Sequence, residues 1–196
     1  MVDLPKPTLF GIDQKGAKLF TDKEWEEYKK DKKEFNWKNY WTKVDTKREY
    51  KGEYKSDDKD AWEGLGYIKF TDGSMYAGQV KNKNMNGKGR MIFANGDIYQ
   101  GDWVDGKAQG KGVFVDKINK TIYDGDWDNE KQHGLGIERW DEGKCLYNGE
   151  FTEGQKTGKA RYEEKDGNIY EGDFVDGEFH GKGKYTFAET GKVYEG

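Results

Sequence analysis

Three aspartates at alternate positions are the clearest candidates for chemistry in this sequence. Asp124, Asp126 and Asp128 have the carboxylate spacing that opens an EF-hand calcium loop. That loop also requires a glycine at its sixth position and a glutamate at its twelfth, where this chain has Asn129 and Leu135. Side chains alternate between the two faces of a β-strand, so the same spacing is typical of a solvated strand face. We predict a strand here and no metal site.

A second candidate, for phosphate binding, is the glycine-rich stretch 154–160. It reads Gly-Gln-Lys-Thr-Gly-Lys-Ala, which is one residue shorter than a P-loop and lacks the serine or threonine that would hold Mg²⁺. The dinucleotide-binding pattern G-x-G-x-x-G does not occur in the sequence. We therefore expect no nucleotide cofactor.

Candidate nucleophiles and general bases are few. The chain has two histidines, His133 and His180, and one cysteine, Cys145. Each histidine directly precedes a Gly-x-Gly motif, at a position where other parts of the sequence carry unrelated polar residues, which is typical of a turn. Cys145 cannot form an internal disulfide, and no nucleophile is paired with either histidine in sequence. We predict no catalytic residue, no cofactor and no enzymatic activity.

The composition limits the function classes further. Of 196 residues, 28 are glycine, 15% are aromatic and 37% are charged, with a net charge of −4. Aromatic content this high favours a folded chain over disorder. Acidic residues outnumber basic ones in residues 50–196, which disfavours nucleic-acid binding and polybasic membrane binding. The amino terminus lacks the apolar region of a signal peptide, so we expect a cytoplasmic protein.

An internal repeat dominates the sequence. The tripeptide Tyr-x-Gly recurs every 23 to 26 residues, and a Gly-x-Gly motif follows it in every full repeat except the fifth, where Gly158 is followed by Ala160. Two alternating runs around Asp105-Gly106 predict a β-hairpin with a tight turn. We predict an all-β fold, an elongated single-layer antiparallel sheet of stacked hairpins. The repeated tyrosines are Tyr50, Tyr76, Tyr99, Tyr123, Tyr147, Tyr170 and Tyr194.

The alternation of side chains places each repeated tyrosine, its glycine and the next aromatic residue on one face. Because a single-layer sheet has no second layer, this face could bind an extended or helical peptide. The same rings could instead stack on each other and hold the sheet together, and the sequence leaves both roles open. The predicted lining is Tyr76, Tyr99, Trp103, Tyr123, Trp127, Tyr147, Phe151, Tyr170 and Phe174.

Residues 1–49 show no repeat, whereas residues 50–196 hold six repeats and the start of a seventh. Residues 21–24 resemble a capping box, and the aromatic residues that follow have helical spacing. We predict a short helix that caps the first hairpin or docks on a partner. Its apolar positions are Trp25, Tyr28, Trp37, Tyr40 and Trp41.

The pattern Y-x-G-x-[WF]-x-x-G-x-x-x-G-x-G resembles the MORN repeat (membrane occupation and recognition nexus) over residues 50–196. The second repeat departs from it with Val80 in place of an aromatic residue. The resemblance implies stacked hairpins with an aromatic groove. Arrays of this family occur in junctophilins, plant phosphoinositide kinases, a histone methyltransferase, radial-spoke heads and protist cytoskeletal scaffolds.

The resemblance and the absence of candidate catalytic residues predict a non-catalytic scaffold that binds other proteins of a large assembly. By analogy with the family, that assembly is ciliary or axonemal, of the radial-spoke kind, or cytoskeletal. The open sheet edge at the C-terminal end could pair with a second copy or another chain. Two alternatives stay open, a membrane tether that binds anionic phospholipids and a regulatory module of a larger enzyme.

Overall fold

Antiparallel strands make up almost all of the described chain. The computed structural model describes residues 36–37, 42–54 and 61–196. The strands follow chain order in one open antiparallel sheet, except that β2 pairs with β3 beside that path, and the predicted all-β class is confirmed. A 3₁₀ turn occupies Asp141–Gly143. The strands are β1 (Asn36–Trp37), β2 (Thr42–Lys43), β3 (Arg48–Tyr54), β4 (Trp62–Phe70), β5 (Met75–Lys81), β6 (Asn84–Ile92), β7 (Ile98–Val104), β8 (Lys107–Asp116), β9 (Thr121–Asp128), β10 (Lys131–Trp140), β11 (Cys145–Thr152), β12 (Gln155–Glu163), β13 (Ile169–Val175), β14 (Glu178–Thr186) and β15 (Val193–Glu195).

Contacts divide the chain into two compact units. The first unit comprises Met1–Gly96 and Gln100–Lys107, and the second comprises Asp97–Tyr99 and Ala108–Gly196. The predicted division between residues 49 and 50 concerns a different boundary and stays a prediction.

The hairpins turn through two residues that both have left-handed backbone angles. At the predicted Asp105-Gly106 turn, φ is 48° and 87°, and at Asn129-Glu130 it is 48° and 69°. Paired left-handed residues define the type I′ turn, whose twist matches that of the flanking strands. The sequence prediction of tight hairpin turns is confirmed.

The hairpins β3–β4, β5–β6, β9–β10, β11–β12 and β13–β14 contain a bulge, which explains the first glycine of Gly-x-Gly. Between β9 and β10 the register changes between His133 and Gly136, and the two residues that separate them fall outside the paired positions. Gly134 has a φ of 58°, a left-handed value that glycine adopts without strain. The carboxylate of Asp126 accepts a hydrogen bond from the backbone N–H of Leu135, at 3.1 Å. The acidic residue after Tyr-x-Gly therefore holds the bulge closed.

The second glycine of Gly-x-Gly lies beneath a tyrosine ring. A Cβ atom at Gly136 would lie 2.5 Å from Cε2 of Tyr123, so no larger residue fits there without a shift. The Tyr123 hydroxyl donates a hydrogen bond to the carbonyl of Asp126, at 2.7 Å. Tyr50, Tyr76, Tyr123 and Tyr170 are packed in this way, each along its own strand over a pair of glycines and bonded to the bulge.

Neighbouring hairpins are joined at both ends. In the second unit the backbone N–H of Gly154 donates to the carbonyl of Gln132, at 2.9 Å. At the opposite end the N–H of Ala188 donates to the Asn168 side-chain oxygen, at 3.0 Å. These bonds run from one repeat to the next and fix the spacing between hairpins.

The predicted N-terminal helix is wrong where the structure describes that region. Trp37 lies in β1, and the residues of β2 also pair with β3. Aromatic and β-branched residues suit an extended strand, and the edge of β3 supplies backbone hydrogen bonds that an isolated short helix lacks. The positions Trp25, Tyr28, Tyr40 and Trp41 lie outside the described residues.

We expect Gly136→Ala to destabilise the second unit by about 1 to 3 kcal/mol, the usual cost of overpacking, because its methyl group would overlap the Tyr123 ring. Thermal unfolding followed by circular dichroism measures the loss. In a Tyr123→Leu background the same glycine change should cost much less. An equal loss in both backgrounds would contradict the ring-over-glycine explanation.

Candidate functional site

The nine side chains predicted to line a groove are all buried. Their exposed fractions run from 0% for Tyr76 and Tyr147 to 8% for Trp127. The structure leaves almost none of their surface open to a partner, so partner binding at these rings stays a prediction. The buried set is Tyr76, Tyr99, Trp103, Tyr123, Trp127, Tyr147, Phe151, Tyr170 and Phe174.

These rings connect consecutive repeats. The edge-to-face geometry contributes about 0.5 to 1.5 kcal/mol for each pair, beyond the burial of the ring surface. Burial raises the pKa of Tyr147 to about 12, so its hydroxyl stays protonated and can donate to the bulge carbonyls. The pairs are Tyr76–Trp103 (5.5 Å) in the first unit, and Tyr99–Trp127 (5.0 Å), Tyr123–Phe151 (4.9 Å) and Tyr147–Phe174 (5.0 Å) in the second.

A second set of rings on the same face of the second unit is only partly buried, and sequence reasoning missed it. Four of them follow the Gly-x-Gly position by two or four residues, a regularity that could have been found in the sequence. Tyr162 lies 5.8 Å from Trp140 and 5.7 Å from Phe179, measured between ring centres. We call this set the aromatic surface. It consists of Trp140, Tyr162, Phe179, Tyr185 and Phe187.

The aromatic surface borders an open cavity of about 630 Å³, a size typical of ligand and peptide sites. Phe179 and Phe187 are 46% and 43% exposed at its wall. The ring of Phe179 stacks on Tyr170 at 3.9 Å. The Tyr185 hydroxyl donates to Glu164 at 2.8 Å, and burial together with this carboxylate raises the pKa of Tyr185 to about 12. The cavity is therefore mainly apolar, and its wall includes Tyr185, whose hydroxyl is held by Glu164.

An ion pair fixes one end of the aromatic surface. The Lys156 ammonium lies 4.7 Å from the centre of the Trp140 ring and 2.5 Å from a carboxylate oxygen of Glu138. A cation over an aromatic face is attracted by the ring electrons and holds the ring in place. Trp140 is thus oriented before any partner binds.

The candidate chemical residues of the sequence have structural roles. Asp126 pairs with Lys111 at 2.6 Å, and Asp128 accepts a hydrogen bond from Gln109. The carbonyl of His133 accepts from the Tyr123 hydroxyl at 3.4 Å. His180 accepts from Tyr170 in the same way, and Cys145 is a buried free thiol. In the part of the chain that the structure describes, no group of three or more His, Cys, Asp or Glu residues is placed to hold a metal ion.

The face opposite the repeated tyrosines, which we call the outer face, carries the predicted ion pairs. Lysines inside Gly-x-Gly, or inside its Gly158-x-Ala160 variant, reach the acidic residue of the following strand, as cross-strand pairing predicts. The pairs are Lys88–Asp102 (2.6 Å) in the first unit, and Lys111–Asp126 (2.6 Å) and Lys159–Asp173 (2.5 Å) in the second.

The described residues include no helix long and apolar enough to span a membrane.

The family comparison agrees with this geometry. The MORN repeat profile matches residues 76–98, 99–119, 123–145, 147–169 and 170–191, more than half of the chain. This chain belongs to the MORN-repeat family. The hairpin of β3 and β4, which precedes the matched residues, has the same MORN arrangement, with the Tyr50 ring over Gly66.

Individual relatives of this MORN chain are distant or partial. An inactive protein tyrosine kinase, pTKL of Plasmodium berghei, is 40% identical over 52 residues, which are 26% of this chain and 4% of that protein. The TCP domain of Drosophila melanogaster SAS-4, solved with a proline-rich motif of Ana2, has 19% identity and a TM-score of 0.44 over 67% of this chain and 71% of that one. The TCP10 domain of Danio rerio CPAP, solved with a STIL peptide, has 14% identity and a TM-score of 0.34, covering 68% and 70%.

We expect Trp127→Ala to reduce stability by about 3 to 5 kcal/mol, the usual cost of deleting a buried tryptophan. The mutation removes the contacts with Tyr99 and Tyr123 and the hydrogen bond from the indole N–H to the carbonyl of Gly112, at 2.9 Å. Chemical denaturation measures the loss, with the half-exposed Trp140→Ala as the milder control. A Trp127→Ala protein that stays as stable as the wild type but loses a partner would instead support an open groove.

The stability of the second unit should fall in acid. The hydrogen bond from Lys159 holds the pKa of Asp173 below its ordinary value, so the unfolded chain binds a proton more readily than the folded one. The stabilisation is present above about pH 4 and is lost as the pH falls through the lowered pKa. Melting temperatures between pH 6 and pH 3 should decline less for Asp173→Asn, and Lys159→Gln should flatten the profile in the same way. A wild-type profile in both variants would disprove this pair as a source of the acid sensitivity.

Proposed function

We propose that this MORN array is a non-catalytic scaffold that binds segments of partner proteins through the aromatic surface of its second unit. The observation that carries the proposal is a series of partly exposed rings, in which Trp140, Tyr162 and Phe179 contact one another and Phe179 borders a mainly apolar cavity. Tryptophan and tyrosine are the residues that most often dominate protein–protein binding energies. The sheet beneath them supplies the rigidity that such anchors need.

The supporting strands keep the aromatic surface in its binding conformation. Phe179 stacks on the buried Tyr170, and Lys156 fixes Trp140. Rings that are already ordered lose little conformational entropy when a partner binds. A partner segment with apolar side chains, prolines included, could pack against the flat faces of these rings. The Tyr185–Glu164 pair offers the same segment a polar contact.

The structure favours this scaffold over a phospholipid tether. A tether would need unpaired cations facing an anionic surface, whereas the Gly-x-Gly lysines named above are neutralised by aspartates. A regulatory module of a larger enzyme would use the same aromatic surface, with the partner attached to the same polypeptide.

The cellular setting is part of the proposal and rests on the range of the MORN family alone. We propose a cytoplasmic protein in a ciliary, axonemal or cytoskeletal assembly, where a MORN array would act as a spacer and docking frame. Localisation of a tagged copy at its native level, with axonemal and membrane fractions compared, tests this part separately.

The binding proposal predicts that Tyr162→Ala/Phe179→Ala loses partner affinity by roughly 30-fold or more, because two anchors worth about 1 kcal/mol or more each are removed. Quantitative affinity purification with crosslinking at Lys156 compares the variant with wild type. Phe93→Ala is the control, because Phe93 is the first-unit ring at the repeat position of Trp140 and Phe187, and this variant should bind normally.

Retained fold but unchanged partner recovery in the double variant would refute the aromatic surface as the binding site. Circular dichroism and the melting temperature of each variant decide whether the fold is retained. Loss of binding in Phe93→Ala alone would move the site to the first unit and would also contradict the proposal.

A further inference from the structure

One repeat position on the outer face is buried in the first unit and exposed in the second. Leu65 and Leu135 occupy the same repeat position, directly after the bulge glycine, and each donates its N–H to a carboxylate. Leu65 is 4% exposed, whereas Leu135 is 64% exposed. Equal residues at equal positions therefore have opposite environments. Because single exposed apolar residues are ordinary and contiguous patches are not, the neighbours of Leu135 decide whether its exposure marks a contact.

Further apolar side chains surround Leu135 on the outer face of strands β8 to β11. Ile122 is 40% exposed, and it pairs with Val115 of β8. Ile137 is two residues from Leu135 on β10. We call this set the outer patch. It consists of Val113, Val115, Ile122, Leu135, Ile137 and Leu146.

Two opposite charges lie at the centre of the outer patch. Ile122 pairs with Arg139, and Asp124 pairs with Ile137, across strands β9 and β10. The isoleucines therefore occupy one diagonal of a four-residue block, and the charges occupy the other. Within the described chain neither Arg139 nor Asp124 takes part in an ion pair. The patch is neutral overall, with each charge available to a partner.

A block with this arrangement is complementary to itself. A two-fold axis along the isoleucine diagonal brings each isoleucine onto its own copy and brings Arg139 of one chain onto Asp124 of the other, twice. Strands lie about 4.8 Å apart and alternate residues about 6.8 Å apart, so this diagonal is inclined by about 35° to the strands. The strands of two copies would then cross at about 70°, close to the orthogonal class of sheet packing.

We propose that a second copy of this chain docks on the outer patch, so that two second units pack face to face. The contact lies on the opposite side of the sheet from the aromatic surface, so it does not depend on the proposed partner site. The patch spans four strands, roughly 15 to 20 Å, which is smaller than a standard stable interface. The dimer is therefore weak, and we expect it at concentrations on the order of 100 μM.

Charge reversal tests the dimer. Sedimentation velocity of the wild-type chain from about 10 μM to 1 mM should show a monomer–dimer equilibrium in the range expected for a small interface. Arg139→Asp and Asp124→Arg should each be monomeric, because like charges would face each other twice. An equimolar mixture of the two single variants should dimerise again, and so should the double variant Arg139→Asp/Asp124→Arg.

Controls separate this contact from other causes. Leu135→Asp should remove the dimer, whereas Val175→Asp, at an exposed position of the same face outside the patch, should leave it unchanged. A wild type that stays monomeric at 1 mM would overturn the proposal, even if another protein were then found to cover the patch. Single variants that dimerise like the wild type would overturn it as well. Monomeric variants should still bind the partner of the aromatic surface, so the two proposals fail independently.

Discussion

The packing of a tyrosine ring over a pair of glycines is the constraint on which the rest of this structure depends. The ring of Tyr123 occupies the space that any Cβ at Gly125 or Gly136 would need, and its hydroxyl reaches the bulge made possible by Gly134. The ring, the glycine pair and the bulge therefore depend on one another, and replacing one of these residues alone disturbs the packing of the others. Its repetition every 23 to 26 residues sets the period of the sequence and the spacing of the hairpins.

This constraint also decides which surfaces remain for binding. The repeated tyrosines pack against aromatic residues of the next repeat, and these contacts hold neighbouring hairpins together. The accessible rings on the same face belong to the other strand of a hairpin. Trp140 of β10 and Tyr162 of β12 are examples, and the two rings contact each other. The opposite face is left with ion pairs and, in the second unit, with apolar residues around Leu135.

The sequence was sufficient to predict features that depend on period and alternation. The hairpins, the Asp105-Gly106 turn and the cross-strand pairs of lysines with aspartates are all local consequences of spacing, and the structure confirms them. The accessibility of Tyr76 or Trp127 could not be predicted, because it depends on each side chain folding back along its own strand. The helical spacing around Trp37 was misleading, since pairing with the edge of β3 outweighs the local preference of a short segment.

The bonded hydroxyls of buried tyrosines such as Tyr76 and Tyr123 have a consequence for covalent regulation. A kinase or sulfotransferase must withdraw a phenol from the surface into its own active site, and the hydroxyl of Tyr76 or Tyr123 can leave only if its hairpin opens. The half-exposed Tyr162 and Tyr185 belong to the aromatic surface and can be reached in the folded chain. Tyrosine modification of the intact protein would therefore act on its contacts with partners and leave its architecture alone.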